Sequence, residues 1–339
     1  MKMIITSATA LALGATMANA ASQTLESTME RGAVLCGVST GVPGFSMQAN
    51  DGSWSGIDVD LCRAVAAAIF ADDTKVEITP VTNSERFEKL SSGEYDILAR
   101  NTTWTLSRDV DLNLSFQGVN YYDGQGFMVP ASLGVSSATE LDGARVCVQV
   151  GTTTELNLAD YFNDNGMSYV PVNVATAAES NEAYLAGKCD VSTTDASGLA
   201  ANRSTFPDPS AHVILPEIIS KEPLGPVTRQ DDENWGDIVR WTLNAMITAE
   251  EMGITSENAA EMAADASAPK GVKRLLGVEG GYGAMFGLSD DAFLNVITLV
   301  GNYGESFERN VGVDTPVGLA RGVNALWKDG GLLYVPPFR

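Results

Sequence analysis

Histidine is nearly missing from this chain of 339 residues: His212 is the only one. Nucleophilic catalysis of the Ser-His or Cys-His kind would have to recruit that single imidazole, which lies after Pro207 and Pro209 in a stretch that reads as loop. Zinc is disfavoured as well, because one histidine and four cysteines at unsuitable spacings do not make a ligand set. Positive charge is scarce, with 21 Lys and Arg against 43 Asp and Glu and a net charge of −22. That balance disfavours nucleic acid and anionic membrane surfaces as partners. The acidic residues are dispersed and form no tail, so the acidity reads as solubility. Repeats at a solenoid period and low-complexity tracts are absent too.

Long apolar runs are equally lacking. A membrane helix needs about 20 consecutive apolar residues. The longest stretch, Ile4 to Met17, is shorter and is interrupted by Thr6, Ser7, Thr9 and Thr16. Preceded by Lys2 and followed by Ala18-Asn19-Ala20, a small-x-small pattern, it reads as a signal peptide over 1–20 with cleavage after Ala20. No cysteine follows to carry a lipid, so the mature chain is expected to be free in the periplasm.

What remains exceeds the usual size of one hydrophobic core, and 45% apolar residues supply material for two lobes. Four cysteines suit an oxidising compartment. They fall as two early and two mid-chain, and the pairing that respects this division is Cys36 with Cys62 and Cys147 with Cys189, one bridge per lobe; four buried free thiols are the alternative. Strand and helix patterns alternate. Ala33–Val38, Val76–Val81 and Tyr95–Ala99 read as strands around an Ala-rich helix from Asp58 to Phe70 and a short one from Arg86 to Leu90. Gly124–Val129 reads as a further strand. A second unit repeats the pattern: strands Ala144–Val150, Tyr169–Val174 and Cys189–Thr194, with helices following Gly151, over Glu179–Ala186 and over Ser197–Asn202. Two α/β lobes with mostly parallel sheets follow. Lys221–Pro226 is expected to cross between them, paired with a strand near 126–129 as a two-stranded hinge. The lobes are then 21–126 and 127–224, with 225–339 returning to the first and reading as mainly helical after Met252.

The segment Gly56-Ile-Asp-Val-Asp-Leu-Cys-Arg-Ala-Val-Ala-Ala-Ala-Ile69 resembles the signature of the polar amino-acid family of extracellular solute-binding proteins, which feed ABC importers. Read physically, Gly56 and Asp58 start the helix, and Leu61, Val65 and Ile69 form its buried stripe. Three further segments carry the resemblance. In Asp96–Arg108 a hydroxyl residue lies five positions before an arginine, and the likeness implies Thr103 and Arg108 on a ligand α-carboxylate with Asn101 near its ammonium. An arginine fork suits a carboxylate without appeal to the family, although a surface pair with Asp109 or Asp111 is the plainer use of Arg108. Val150-Gly-Thr-Thr-Thr-Glu155 has capping-box spacing between Thr152 and Glu155, and the helix start it predicts favours an anion. The resemblance adds Thr153 to the carboxylate. Cys189–Asp195 ends on Asp195, where the family holds the ammonium; capping the next helix is its structural alternative.

The resemblance implies a type II periplasmic-binding-protein fold, and it is closest to the general L-amino-acid subgroup. Its implied partners are a free L-amino acid and a cognate ABC permease, with no cofactor and a monomeric chain. Candidates around the ligand side chain are Phe45, Trp104, Arg86 and Tyr121. Arg86 stands where acidic-amino-acid binders of the family carry an arginine; a surface pair with Glu85 or Asp73 is the alternative. The rival class is a dehydratase on the same fold, which would need an acid or base aimed at the reacting carbon, whereas Asp195 is committed to an ammonium.

Overall fold

The computed structural model describes residues 22–339. The expected signal peptide lies outside the described residues. Among these, no helix is long and apolar enough to cross a membrane.

Two five-stranded mixed sheets of matching plan form the centres of two lobes. In the first, Val76–Val81, Val34–Ser39 and Ile97–Leu98 run parallel, and Val227–Arg229 and Leu114–Phe116 complete it antiparallel. In the second, Tyr169–Val174, Ala144–Gln149 and Val191–Asp195 are parallel, followed by Gln125–Pro130 and His212–Ile214 antiparallel. Strands that are fully covered, such as Val34–Ser39, read as continuous apolar runs and were legible in sequence. Those of three residues, Leu114–Phe116, His212–Ile214 and Val227–Arg229, are too short to show any period. His212 therefore sits on an edge strand and not in a loop, with Nδ1 2.9 Å from the Tyr184 hydroxyl.

Both disulfides join the residues that the division of the cysteines suggested, Cys36 to Cys62 and Cys147 to Cys189. The crossover differs from expectation. Glu222–Leu224 pairs antiparallel with Tyr121–Asp123, whereas 126–129 belongs to the second sheet. Gly225 closes this hinge against the neighbouring chain: a Cβ there would lie 2.0 Å from the Gly118 carbonyl oxygen, so no larger residue fits.

Helix Ile57–Phe70 is buried on nearly all sides. Its Val59, Cys62, Val65 and Ala66 pack with the first sheet, while Leu61, Ala64, Ala67 and Ala68 join a cluster with Phe293, Phe307, Leu326 and Phe338 of the C-terminal region. A single buried stripe was expected, and the second face is explained by this C-terminal cover. Gly56 starts the helix at φ 131°, and a Cβ would meet the Phe45 carbonyl oxygen at 2.1 Å.

The C-terminal region is helical only as far as Tyr303–Asn310; beyond it lie irregular chain and two single 3₁₀ turns. Buried Asp60 accepts from Ser306 Oγ at 2.6 Å, Arg309 Nη2 at 2.7 Å and Asn310 Nδ2 at 2.7 Å, fixing that last helix to the first lobe. Further on, Asn324 bonds the backbone of hinge residue Tyr122 twice, accepting from its N–H at 2.7 Å and donating to its carbonyl at 2.9 Å. One side chain thus acts as a third strand beside the hinge.

Candidate functional site

The carboxyl ends of the parallel strands of both sheets face one cleft. In open α/β sheets that edge is where ligands bind, because helix starts and loop side chains converge there. The first lobe lines it with Ser39, Asn83, Arg86, Arg100, Asn101, Thr103 and Arg108. From the second come Gln149, Thr152, Thr153, Asp195 and Ser197. Three guanidinium groups therefore share a small cavity.

Arg108 is held by a bond from Nη1 to the Thr103 carbonyl at 2.9 Å, and its guanidinium lies 5.3 Å from the centre of the Phe87 ring. It makes no ion pair with Asp109 or Asp111 among the described residues. Burial lowers its pKa, while Glu222 and Asp195 push the other way. Arg86 is buried as well, with Nη2 3.4 Å from the Gly151 carbonyl across the cleft and Nε without a partner among the described residues. Loss of solvent and the charges of Arg100 and Arg108 hold its pKa well below the usual arginine range. Neither suggested surface partner is used: Asp73 pairs with Arg63, and Glu85 lies 3.9 Å from Lys89.

Arg100 donates from Nε to the Val81 carbonyl at 2.9 Å and from Nη1 to Asn83 Oδ1 at 2.6 Å. Asn83 in turn donates to Gln149 Oε1 at 2.7 Å on the other lobe. Burial pushes the Arg100 pKa down to about 10, against the pull of Asp58.

Opposite charge gathers at the other end. Asp195 ends its strand and occupies the N-cap position of helix Ala196–Ser204, yet its carboxylate makes no capping bond. That task falls to Asp123, which accepts from the Ser197 N–H and hydroxyl. Asp195 keeps some contact with the cleft, but the protein packed around its carboxyl, with Asp123 and Glu222 close by, holds its pKa well above the ordinary range. Asn101 has φ 40°, a left-handed conformation that asparagine tolerates, and its backbone N–H donates to Asp58 Oδ2 at 3.0 Å. Its buried Oδ1 has no partner among the described residues, so an acceptor stands ready in the wall.

Helix Thr153–Asp164 begins at the cleft with Thr152 as cap, whose hydroxyl accepts from the Glu155 N–H at 3.1 Å. The expected capping box is completed one residue early: Glu155 takes the N–H of Gly151 at 2.9 Å. Thr103 and Thr153 come together, their Oγ1 atoms 3.3 Å apart, and both hydroxyls donate to Glu222 Oε2, at 2.6 and 2.9 Å.

A family model for bacterial extracellular solute-binding proteins, family 3, matches residues 34–258. This chain belongs to that family. It is 56% identical over 97% of both chains to the "Glutamate/glutamine/aspartate/asparagine-binding protein BztA" of Rhodobacter capsulatus. Against the "General L-amino acid-binding periplasmic protein AapJ" of Rhizobium johnstonii it is 54% identical over 98% of this chain and 97% of the other. A solved structure, "ABC transporter / periplasmic binding protein from Brucella ovis with glutathione bound", superposes with a TM-score of 0.91 at 53% identity, covering 93% of this chain and 99% of that one. The fold is thus the two-lobed type II form of periplasmic binding proteins. The region after 258 lies outside the family model but inside the span shared with these relatives.

Within this family framework, the structure brings Asn101, Thr103, Arg108, Thr153, Asp195 and Arg86 to one cavity. Phe45, Trp104 and Tyr121 do not line it. Phe45 is 1% exposed and packs edge-on to Tyr121 at 5.2 Å, in the core cluster shared with the C-terminal region. Trp104 is 39% exposed and stacks on Phe116 at 5.4 Å outside the site. An aromatic in a binding segment is as readily core or surface as ligand contact, and only the path of the chain distinguishes them. Arg100, Asn83, Gln149 and Glu222 escaped sequence reasoning. For Arg100 a signal existed: an arginine directly continuing the apolar strand Tyr95–Ala99 needs a reason to be buried.

Proposed function

We propose that this protein is the periplasmic capture component of an ABC importer, closing its lobes on one free L-amino acid and delivering it to the cognate permease. The lobes that move lie on either side of the hinge strands Tyr121–Asp123 and Glu222–Leu224, with the chain before 121 and after 224 in one and the chain between the strands in the other; the working unit is the monomer. Arg108 takes the α-carboxylate, together with first-turn N–H groups of helix Thr153–Asp164, which lack intrahelical partners. Asp195 takes the ammonium, with the free Oδ1 of Asn101 beside it. The observation that carries this reading is the placement of Asp195, whose carboxylate has no partner among the described residues, and of lightly held Arg108 on opposite lobes of one cleft, near enough to shift each other's titration. A zwitterion spanning the two favours the closed form, since all contacts coexist only there.

A thermal-shift screen against the twenty common L-amino acids tests it, because binding stabilises by mass action. Shifts with many of them support broad capture, and Arg108→Ala should abolish the shifts without unfolding the chain. Shifts with none would refute the proposal. Turnover of a bound acid to product would favour the dehydratase alternative, for which the cleft offers no histidine.

A narrower reading has its own support. Arg86 and Arg100 add two cations beyond the one that an α-carboxylate needs, and Arg86 Nε is unpartnered. A ligand side chain bearing a carboxylate or amide oxygen would suit that wall. Shifts confined to Glu, Gln, Asp and Asn would favour it over broad capture.

A further inference from the structure

We propose that Glu222 is the positioning residue of the grip, a buried carboxylate at the hinge that sets the two threonines and holds the lobes in register. This rests on the cleft being the amino-acid site. Glu222 is 1% exposed and opens one of the two hinge strands, Glu222–Leu224. Its Oε2 accepts from Thr103 of the first lobe at 2.6 Å and Thr153 of the second at 2.9 Å. The other oxygen, Oε1, accepts from Asn157 Nδ2 at 2.7 Å, one helical turn beyond Thr153, and from Ser220 Oγ at 2.7 Å. Four donors from both lobes and from the hinge itself thus converge on one side chain. Because Thr153 opens its helix and Asn157 is in the next turn, the carboxylate also sits at the positive end of that helix.

The chemistry gives Glu222 more than a packing role. With four donors aimed at its two oxygens the Glu222 carboxyl acts as acceptor throughout, and each threonine hydroxyl has a single proton. Both protons are committed to Glu222, so the hydroxyl oxygens present lone pairs to the ligand. The threonines then accept from an ammonium, and the ligand carboxylate depends on Arg108 and backbone N–H groups. Glu222 thereby fixes which end of a zwitterion lies against the hinge, and its bonds to Thr103 and Thr153 exist together only when the lobes meet.

Glu222→Ala and Glu222→Gln, each compared with the unaltered full chain, test this by calorimetry with L-glutamate, L-glutamine and L-leucine, by thermal melting without ligand, and by small-angle scattering. We expect Glu222→Ala to weaken binding at least tenfold and to enlarge the radius of gyration of the protein alone. Glu222→Gln, which keeps acceptor capacity on one oxygen, should recover part of the affinity at an unchanged ligand-free melting temperature. Unchanged affinity in Glu222→Ala would overturn the proposal. So would equal losses of affinity and ligand-free melting temperature in both variants, the pattern of a purely structural residue. If Glu222→Ala does not fold, unaltered affinity and radius in Glu222→Gln refute it alone. Failure of the unaltered chain to bind any of the three ligands would count against the amino-acid reading, and the scattering comparison would still judge Glu222.

Discussion

Replacing Asp195 by Asn separates binding from folding. In the native protein the carboxyl is surrounded by protein and flanked by Asp123 and Glu222, which raise its pKa, with Arg108 and Arg86 opposing them. An ionised group whose pKa is raised in the folded state is a liability at neutral pH. The amide variant removes that liability, so the ligand-free protein should melt at the same temperature or higher. Binding should move the other way. An ammonium that loses its buried charged acceptor, with Arg108 and Arg86 left less compensated, is destabilised by about 2–5 kcal/mol. At about 1.4 kcal/mol per factor of ten this is a loss of roughly thirtyfold or more in affinity. Calorimetry with the best ligand of the thermal screen reads it directly. The unaltered protein should also bind more weakly as pH falls through the raised Asp195 pKa, because the protonated acid no longer offers a charge, while the variant's affinity stays flat over the same range. An unchanged dissociation constant in Asp195→Asn, or a fall in ligand-free melting temperature matching the loss of affinity, would refute the assignment.

Three further outcomes are expected. Burial pushes Asp58 and Asp123 from 3.8 up to about 6, so each adds stability that is full below the unfolded value and is lost as pH rises through about 6. For Asp58 this amounts to about 3 kcal/mol at most, and Asp58→Asn should flatten the decline of melting temperature across that window; an unaltered slope would exclude it as a contributor. Removing the Cys147–Cys189 bridge, which closes a sequence separation of 42, should cost about 4 kcal/mol in the chain-entropy picture and lower the melting temperature by roughly 10 °C, with affinity nearly unchanged. Asn324→Ala, which frees both backbone groups of Tyr122, should speed hydrogen exchange at that amide and destabilise the protein by about 1–3 kcal/mol; native protection at Tyr122 would show that the hinge holds without its C-terminal brace.

The residue sequence by itself determined the alternation of elements, since Val34–Ser39 and Ala144–Gln149 read as the apolar runs of covered strands, and Val76–Val81 and Tyr169–Val174, half-exposed at the sheet edges, still have the length and β-branched content of strands. Helix Thr153–Asp164 was equally local, because its start depends on Thr152 and Glu155 alone. The cysteine positions suggested the bridges. What depended on distant contacts was out of reach. Strands of three residues carry no period, so Glu222–Leu224 falls within the expected crossover, while its partner is Tyr121–Asp123 and not the expected strand near 126–129. Phe45 and Trp104 follow aromatic rules that hold for core, surface and ligand contact alike, and the fold put neither in the cleft. Arg100, Asn83 and Gln149 become one hydrogen-bonded chain only when two lobes meet. Glu222 looks like any glutamate before a proline until four donors from separate segments surround it. Local sequence fixes dihedral preferences and apolar faces within a few residues, whereas a binding site made of charges depends on which segments the tertiary structure brings within 3 Å or so of one another.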